Sequence, residues 1–152
     1  MTPGKQKILA VASGGGHWVQ LLRLRPALTA HDVTYVTVDK SYGDDLDGEP
    51  LLVVNDATRW NKLKVALLAL RMLRIVLRVR PDVVISTGAA PGFLAVRFGK
   101  LVGARTVWID SIANVERLSM SGSLARRHAD LWLTQWAQLA SEEGPAFRGT
   151  VL

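Results

Sequence analysis

Short apolar runs alternate with longer segments of mixed polarity along most of this 152-residue chain. The runs are rich in β-branched residues and have the length of strands that are buried on both faces. Six are predicted as strands: Ile8–Ala12, Val33–Val38, Leu51–Val54, Val83–Thr87, Ala104–Ile109 and Leu131–Thr134. The segments between them predict helices over Trp18–Leu24, Trp60–Arg80 and Phe93–Val102. This alternation predicts an α/β fold, a Rossmann-like doubly wound parallel sheet that forms a single domain over residues 1–152.

The turn between the first predicted strand and helix consists of Ser13, Gly14, Gly15, Gly16 and His17. Glycine permits positive φ and close approach to a ligand, and the N–H groups that open a helix favour an anion such as phosphate. His17 adds a titratable, hydrogen-bonding side chain at the mouth of the turn. The same glycines would also serve a tight turn that binds nothing, so the motif alone leaves both interpretations open.

Two familiar phosphate-binding loops do not fit the chain. The dinucleotide fingerprint requires a third small residue where this chain has Val19. The phosphate loop of NTPases requires Ser or Thr after Gly-Lys, whereas Gly99 and Lys100 are followed by Leu101. The glycine turn therefore belongs to neither class.

A second turn of small residues, Gly88–Gly92, follows the fourth predicted strand, and a polar segment follows the fifth. Because the carboxyl ends of parallel strands lie at one edge of a sheet, we expect both to face the same crevice as the first turn. Asp110 and Glu116 of the polar segment are candidates for catalysis or ligand contact. Helix capping and surface pairing are the alternative roles for these two acids.

The predicted helix Trp60–Arg80 carries several cations and no acidic residue. Lys64, Arg71, Arg74 and Arg78 follow one another at intervals of 7, 3 and 4, so they share one helix face. This face is predicted to be either a solvated stripe on a helix packed against the sheet or a membrane-binding surface with its cations among anionic headgroups.

Composition adds a preference for anionic partners. The formal net charge is +6, while 49% of the residues are hydrophobic and only 21% are charged. Such a chain favours nucleic acid, a membrane surface or a phosphorylated substrate. The absence of cysteine excludes disulfides, thiol catalysis and cysteine-based metal sites. No run is long enough to predict a transmembrane helix, and Met1–Lys7 is too short and polar for a signal peptide.

Four segments occur in an order that resembles a known family: Ser13–His17, Ser86–Gly92, Asp110–Gly122, and Ala129–Leu131 with Gln135–Trp136. They resemble the membrane-associated subunit of the two-subunit N-acetylglucosaminyltransferase that adds the second sugar to dolichol-diphosphate-linked GlcNAc. They equally resemble its bacterial counterparts in exopolysaccharide and capsule assembly. The resemblance covers nearly the whole chain.

The resemblance implies the amino-terminal half of a GT-B glycosyltransferase, with inverting transfer of a hexose from a UDP-sugar to a polyprenyl-diphosphate-linked sugar. This half would bind the lipid-linked acceptor and lie peripherally on the cytoplasmic face of an anionic membrane, through Lys64, Arg71, Arg74 and Arg78. A second glycosyltransferase subunit would carry the nucleotide-sugar site, and activity would require both subunits. No metal, cofactor or nucleic acid is expected.

The turns and the resemblance together nominate site residues. His17 is the first candidate for the general base or a diphosphate contact, followed by Glu116 and Asp110 as catalytic residues. Asp110 stands where the family often has Glu, and Asn114 where it often has Arg, which leaves the transferred and accepting sugars open. Diphosphate or substrate contacts are expected from Ser13, Gly14, Gly15, Gly16, Gly88, Ala89, Gly92, Ser111 and Ser119.

Other functional classes stay open. A noncatalytic membrane anchor that recruits a catalytic partner would lose membrane binding but keep turnover when Arg71, Arg74 and Arg78 are neutralised. A stand-alone nucleotide-binding enzyme would show turnover as a single chain. Nucleic-acid binding is disfavoured because the cations cluster on one apolar helix and no recognition motif is present.

Overall fold

A computed structural model describes residues 4–151, in which the strands form one parallel sheet. The strands are β1 (Lys7–Val11), β2 (Asp32–Thr37), β3 (Leu51–Val53), β4 (Val83–Ser86), β5 (Arg105–Ile109), β6 (Leu131–Thr134) and β7 (Ala146–Phe147). Their order in the sheet is β3-β2-β1-β4-β5-β6-β7, and every neighbouring pair is parallel. The Rossmann-like doubly wound sheet predicted from the alternating pattern is confirmed.

Helices cover both faces of this sheet. They are α1 (Gly16–Arg23), α2 (Arg25–Leu28), α3 (Lys62–Val79), α4 (Ala89–Leu101) and α5 (Met120–Ala125), with short 3-10 helices at Lys40–Asp45 and Ala137–Leu139. Their apolar side chains form two cores, one on each face of the sheet. The helices α3, α4 and α5 pack on the first face, and α1 and α2 pack on the second.

The central strand β1 contributes to both cores, which explains its unbroken apolar sequence. Leu9 packs in the same core as Met72 of α3. Ala10, the next residue, packs in the other core with Trp18 and Leu21 of α1. All five side chains are 0–1% exposed, so the strand leaves no face for water.

The direction of winding reverses between β1 and β4. The strands β2 and β3 lie on one side of β1, whereas β4 to β7 lie on the other. Val11 at the end of β1 is paired with Ser86 at the end of β4, so the two turns that follow leave the sheet side by side. Open parallel sheets bind ligands at such a switch point, outside the carboxyl ends of the strands.

The start of α4 and two short elements, α5 and β7, differ from the prediction. The helix α4 begins at Ala89, so Pro91 and Gly92 lie inside it and not in the preceding turn. Proline is tolerated in the first helical turn because its missing N–H would have no partner there. The helix α5 and the strand β7 were not predicted, since six and two residues are too few to show a period.

The long basic helix is slightly shorter than predicted. Asn61 caps α3 by accepting a hydrogen bond from Lys64 N at 3.1 Å, and Arg80 follows its last turn with a left-handed φ of 49°. No helix within residues 4–151 combines the length and apolar character needed to cross a bilayer. Residues 1–3 of the predicted polar start, Met1–Lys7, lie outside the described residues.

Candidate functional site

The first turn joins β1 to α1 and leaves the start of the helix without a side-chain cap. Gly15 has a φ of 65°, in the left-handed region that favours glycine. Tyr42, from the 3-10 helix Lys40–Asp45, packs against the turn, and its Oη accepts a hydrogen bond of 2.8 Å from Gly15 N. A Cβ at Gly14 would lie 2.9 Å from the same oxygen. Gly15 is therefore required for its backbone conformation, and Gly14 for the space that Tyr42 occupies.

The second turn repeats this arrangement between β4 and α4. Gly88, with a φ of 139°, precedes α4, and again no side chain caps the helix. Ala89 has a φ of 66°, a conformation that costs a non-glycine residue about 1–3 kcal/mol. Two uncapped helix N-termini therefore lie at the carboxyl ends of neighbouring strands, where their N–H groups and dipoles favour an anion.

His17 and Thr87 fasten the two turns together. The Thr87 hydroxyl donates to the His17 carbonyl oxygen at 2.6 Å, and His17 Nδ1 lies 3.0 Å from the Thr87 carbonyl oxygen. Because a carbonyl oxygen can only accept, Nδ1 carries the proton of the neutral imidazole, and in this tautomer Nε2 has the lone pair. Gly88 provides the space for this contact, since a Cβ there would collide with the His17 ring. The half-buried imidazole is thus held with its basic nitrogen available.

Asp110 follows β5 but lies inside the protein, with 1% of its surface exposed. Its carboxylate accepts hydrogen bonds from Trp108 Nε1 at 3.2 Å and Asn114 Nδ2 at 3.1 Å. It also accepts from Ser119 N at 2.9 Å and from Ser119 Oγ at 2.6 Å. The carboxylate therefore fixes the loop of residues 111–119, here named the third loop. This geometry does not suit the catalytic role expected from the sequence and makes Asp110 a positioning residue.

The hydroxyls of Ser111 and Ser119, both expected at the ligand, are used inside the protein. Ser111 Oγ accepts hydrogen bonds from Gln20 Nε2 and from a backbone N–H of the third loop, each 3.2 Å long. Ser119 Oγ donates to the Asp110 carboxylate and accepts from Gly122 N at 2.8 Å, which caps α5. Both hydroxyls support the third loop, and their expected ligand contacts stay predictions.

The remaining small residues divide into exposed and buried groups. The exposed or half-exposed members, whose backbone groups can meet a ligand, are Ser13, Gly14, Gly15, Gly16 and Ala89. Gly88 and Gly92 are buried. Gly92 lies within α4, and a Cβ there would collide with the Ser86 hydroxyl of β4. Its expected ligand contact is therefore corrected to close packing of helix on strand.

A buried glutamine that no sequence motif marks links the first turn to the third loop. Gln20 of α1 is 4% exposed, and its Nε2 donates to the Gly16 carbonyl oxygen and to Ser111 Oγ, each at 3.2 Å. Its Oε1 accepts from Ile112 N at 3.1 Å and from Gln135 Nε2 at 2.6 Å. All four hydrogen-bonding positions of the amide are used, so Gln20 holds the two segments in fixed register. The sequence analysis had singled out Ser111 as a site residue and Gln135 through the resemblance, but not Gln20 itself.

Glu116 lies on the exposed outer part of the third loop. With Asn114 and Arg117 it lines a shallow depression of about 350 Å³. Of the salt bridges formed within residues 4–151, none involves Glu116, so its carboxylate is available to a ligand. No group of three or more histidine and acidic side chains in the same residues is placed to hold a metal ion.

The cations expected at a membrane lie on one exposed side of α3. None of the four takes part in a salt bridge within the described residues: Lys64, Arg71, Arg74 and Arg78. Beside them the helix exposes a row of leucines, here named the leucine face, which comprises Leu63, Leu67, Leu70 and Leu77. Trp60, 79% exposed, extends this surface beyond the start of the helix, with the Arg59 guanidinium 4.4 Å from its ring centroid.

Comparison with known families decides which family the chain belongs to. The family described as "Oligosaccharide biosynthesis protein Alg14 like" matches residues 53–151, well over half of the chain. The chain belongs to this family. The matched region contains the second turn, the third loop and α3, whereas the first turn precedes it.

Two relatives of the Alg14-like chain are fungal proteins named "UDP-N-acetylglucosamine transferase subunit ALG14". The protein of Yarrowia lipolytica is 25% identical over 165 aligned positions, which cover 90% of this chain and 76% of the relative. The protein of Eremothecium gossypii is 26% identical, with 88% of this chain and 74% of the relative covered. The aligned regions include most of each protein, so the likeness is not confined to the glycine turns.

Solved structures place the Alg14-like chain among GT-B folds. The crystal structure of Acinetobacter baumannii MurG superimposes with a TM-score of 0.75 at 13% sequence identity. The alignment covers 95% of this chain but only 46% of MurG. The fold is therefore that of the amino-terminal half of a GT-B enzyme, as predicted.

Proposed function

We propose that this Alg14-like chain is the acceptor-side subunit of a two-subunit glycosyltransferase. The complex would transfer a hexose from a UDP-sugar to a sugar on a polyprenyl diphosphate, in lipid-linked oligosaccharide, exopolysaccharide or capsule synthesis. The names of both relatives favour N-acetylglucosamine as the donated sugar. The observation that carries the proposal is the pair of uncapped helix N-termini joined by His17 and Thr87 at the switch point of the sheet.

The two helix N-termini suit a diphosphate. The backbone N–H groups of Gly16 and Ala89 open α1 and α4, and no side chain of the protein caps either helix. Two adjacent phosphates match two adjacent sets of donors better than a single phosphate does. We assign the diphosphate of the lipid-linked acceptor to this crevice, with Ser13 and the neighbouring glycines as its contacts.

We assign the role of general base to His17. In the proposed step, an acceptor hydroxyl oxygen attacks the anomeric carbon of the donor sugar while the bond from that carbon to UDP breaks. The hydroxyl proton passes to His17 Nε2, and UDP leaves with the electron pair, so the anomeric configuration inverts. The Thr87 carbonyl stabilises the imidazolium that forms, because its oxygen accepts a hydrogen bond from the Nδ1–H group. Glu116 stays the second candidate, as a contact to the acceptor sugar or as the base.

The size of the fold supports the assignment of a partner subunit. GT-B enzymes bind their two substrates in a cleft between two Rossmann-like domains, and this chain spans 46% of the MurG structure. A single domain of this kind offers one wall of such a cleft. We therefore assign the nucleotide-sugar site to a second glycosyltransferase subunit.

The membrane surface is assigned to α3. The leucine face would enter the headgroup region, and Lys64, Arg71, Arg74 and Arg78 would lie among anionic headgroups on the cytoplasmic side. This peripheral attachment would bring the crevice to a lipid-linked acceptor. The same surface also favours a second candidate function, a noncatalytic anchor that recruits a catalytic partner.

A sugar-transfer assay on polyprenyl-diphosphate acceptor separates these functions. We expect transfer when this chain and its partner are combined, and none with either alone. Transfer by the partner alone would reduce this chain to an anchor, and transfer by this chain alone would make it a stand-alone enzyme.

In the active pair, His17→Ala is expected to lower turnover by about 100-fold or more, the usual contribution of a general base. His31→Gln is the matched control. His31 lies just before β2, at the amino ends of the strands and away from the crevice, where it accepts a hydrogen bond from Gln6 N. Wild-type turnover in both His17→Ala and Glu116→Ala would exclude the catalytic assignment.

A further inference from the structure

A groove runs along the free edge of the sheet, between β3 and α3. It has a volume of about 330 Å³ and an apolar floor, formed by Leu52, Val53, Val54 and Ile75. Past Leu52 it continues into a second depression of about 550 Å³ that reaches the start of β1. Both volumes fall within the range of about 300–1,000 Å³ found for small-molecule sites.

Three arginines form the helical wall of this groove. Arg71, Arg74 and Arg78 line it, and at 1.5 Å per residue they span about 10 Å along α3. Within residues 4–151 none of them forms a salt bridge, and Arg71 makes only a long contact of 3.5 Å to Asn55 Oδ1. One guanidinium group can bind two oxygens of a phosphate through parallel hydrogen bonds, so one or two phosphate groups would match this wall.

An apolar floor beside a cationic wall suits an anionic amphiphile better than a free phosphate or a neutral hydrocarbon. We propose that the groove binds one anionic phospholipid molecule, with its phosphate on Arg71, Arg74 and Arg78 and an acyl chain along Leu52 and Ile75. The inference rests on the proposed function for its membrane setting, because the leucine face of the same helix brings the groove to the bilayer. It goes further in that it assigns a saturable site for a single lipid.

An extended peptide that pairs with β3 is the competing occupant. Val54 N donates to Thr37 O and Tyr35 N donates to Pro50 O, so alternate residues of β3 point their backbone groups outward. Because β3 has only three residues, Leu51 and Val53 are the ones left for a new strand. Strand addition depends on a longer run of main-chain hydrogen bonds, and the lipid is therefore favoured.

Titration with a soluble lipid tests the site without membranes or activity. The probe is dihexanoyl phosphatidylglycerol below its critical micelle concentration, added to the full isotope-labelled chain and followed by amide NMR shifts. We expect saturable binding at one site, with shifts along β3 and Arg71–Arg78. Dihexanoyl phosphatidylcholine and glycerol 3-phosphate are expected to bind at least tenfold more weakly, since one lacks the net charge and the other lacks the chains.

Two variants remove the site and each has a matched control. The triple substitution Arg71→Gln, Arg74→Gln and Arg78→Gln is expected to weaken binding at least tenfold. A control triple with the same loss of charge on other exposed arginines should stay within twofold of wild type: Arg97→Gln, Arg105→Gln and Arg127→Gln.

A carboxylate placed in the groove gives the second test. Val53→Glu, at a position that is 47% exposed, is expected to repel the phosphate and weaken binding tenfold. Leu101→Glu, at 75% exposure outside the groove, should leave binding unchanged.

Several outcomes would overturn the inference. Equal binding of phosphatidylcholine, equal binding of glycerol 3-phosphate, or equal weakening by the control triple would each remove the anionic-lipid site. Tighter binding of an acidic peptide with alternating valines, at the same resonances, would replace the lipid with a strand. If the protein binds no lipid but sugar transfer is intact, only this inference fails. If the lipid binds but no sugar is transferred, only the proposed function fails.

Discussion

The helices of this protein begin in two different ways. The helices α1 and α4 start after Gly15 and Gly88, which have positive φ angles and no capping side chain. The helices α3 and α5 start after Asn61 and Ser119, whose side chains accept hydrogen bonds from the first turn. Each capped start satisfies one N–H group of its first turn with a side chain, whereas the uncapped starts leave that group for another molecule.

This difference separates structural turns from the candidate binding turns. The uncapped helices α1 and α4 follow the strands that flank the switch point, β1 and β4. The short α2, which also lacks a side-chain cap, follows directly after α1. The capped helix α5 begins at the end of the third loop, where Ser119 joins its cap to the buried Asp110 carboxylate. The crevice therefore combines rigid support on one side with open donors on the other, which is the arrangement that preorganised anion sites require.

The strongest test of this comparison is a side chain at an uncapped start. Gly88→Ala places a Cβ against the His17 ring at a φ of 139°. We expect turnover of the reconstituted pair to fall at least 100-fold, about 2.7 kcal/mol of transition-state stabilisation, because His17 loses its contact with Thr87. Steady-state kinetics measure the effect.

Gly103→Ala is the control for Gly88→Ala. It likewise replaces a glycine of positive φ, here 86°, but the added Cβ meets no atom within 4 Å. We expect it to lower stability by about 1 kcal/mol and to leave turnover unchanged. Near-normal turnover in Gly88→Ala would show that the two turns need not be joined.

The supporting side of the crevice is tested at Asp110. We expect Asp110→Asn to lower the free energy of unfolding by about 2 kcal/mol, because an amide cannot accept all the hydrogen bonds that reach this buried carboxylate. Urea denaturation measures this loss. The exposed Glu116→Gln should change stability by less than about 0.5 kcal/mol. Equal effects in the two variants would mean that the third loop does not depend on Asp110.

A capped start can be compared with the uncapped ones by removing its cap. Asn61→Ala deletes the bond from Lys64 N and is expected to cost about 1 kcal/mol of stability with no change in turnover. Thermal unfolding and the transfer assay measure the two quantities. A loss of turnover at constant membrane binding would contradict the division, since this cap has no assigned part in the chemistry.

The smallest expected effect lies at the amino ends of the strands, where Asp130 forms a salt bridge with Lys100. A hydrogen bond from Lys100, helped by Thr106 N and opposed by partial burial, lowers the pKa of Asp130 below its ordinary value. A depressed pKa stabilises the fold fully above the unfolded value of about 3.9, and this stabilisation is lost as pH falls through the folded pKa. Because the side chain is 40% exposed, its contribution at neutral pH stays below about 1 kcal/mol.

Asp130→Asn measures this contribution. We expect the variant to unfold slightly more easily than wild type at pH 7 and equally easily near pH 2. A stability difference that grows on acidification would have the wrong sign for this ion pair.

The sequence predicted those parts of the fold that are periodic or unbroken. The strand β1 was evident because both of its faces are buried, and α3 because it runs for 18 residues. The start of α4 was missed because Pro91 and Gly92 are typical of turns, although the first turn of a helix tolerates both.

The interior of the site could not be predicted in the same way. An aspartate that follows a strand has the same sequence pattern whether its carboxylate faces water or is buried. The Asp110 carboxylate is buried and accepts hydrogen bonds from Asn114 and Ser119, four and nine residues further along. Gln20 stands in an ordinary amphipathic helix, and three of its four partners lie 91, 92 and 115 residues away. Only the folded chain brings such residues together, whereas the glycine turns carry their geometry locally.

The bridge between His17 and Thr87 also has a kinetic meaning. The two residues are 70 positions apart, and they meet only when β4 has paired with β1. Contacts of this range form slowly and late in the folding of parallel sheets, after the chain between them has been closed into a loop. A growing chain that has not yet produced β4 contains the whole first turn but no imidazole of fixed tautomer. The proposed catalytic role of His17 would therefore depend on complete pairing of the central strands.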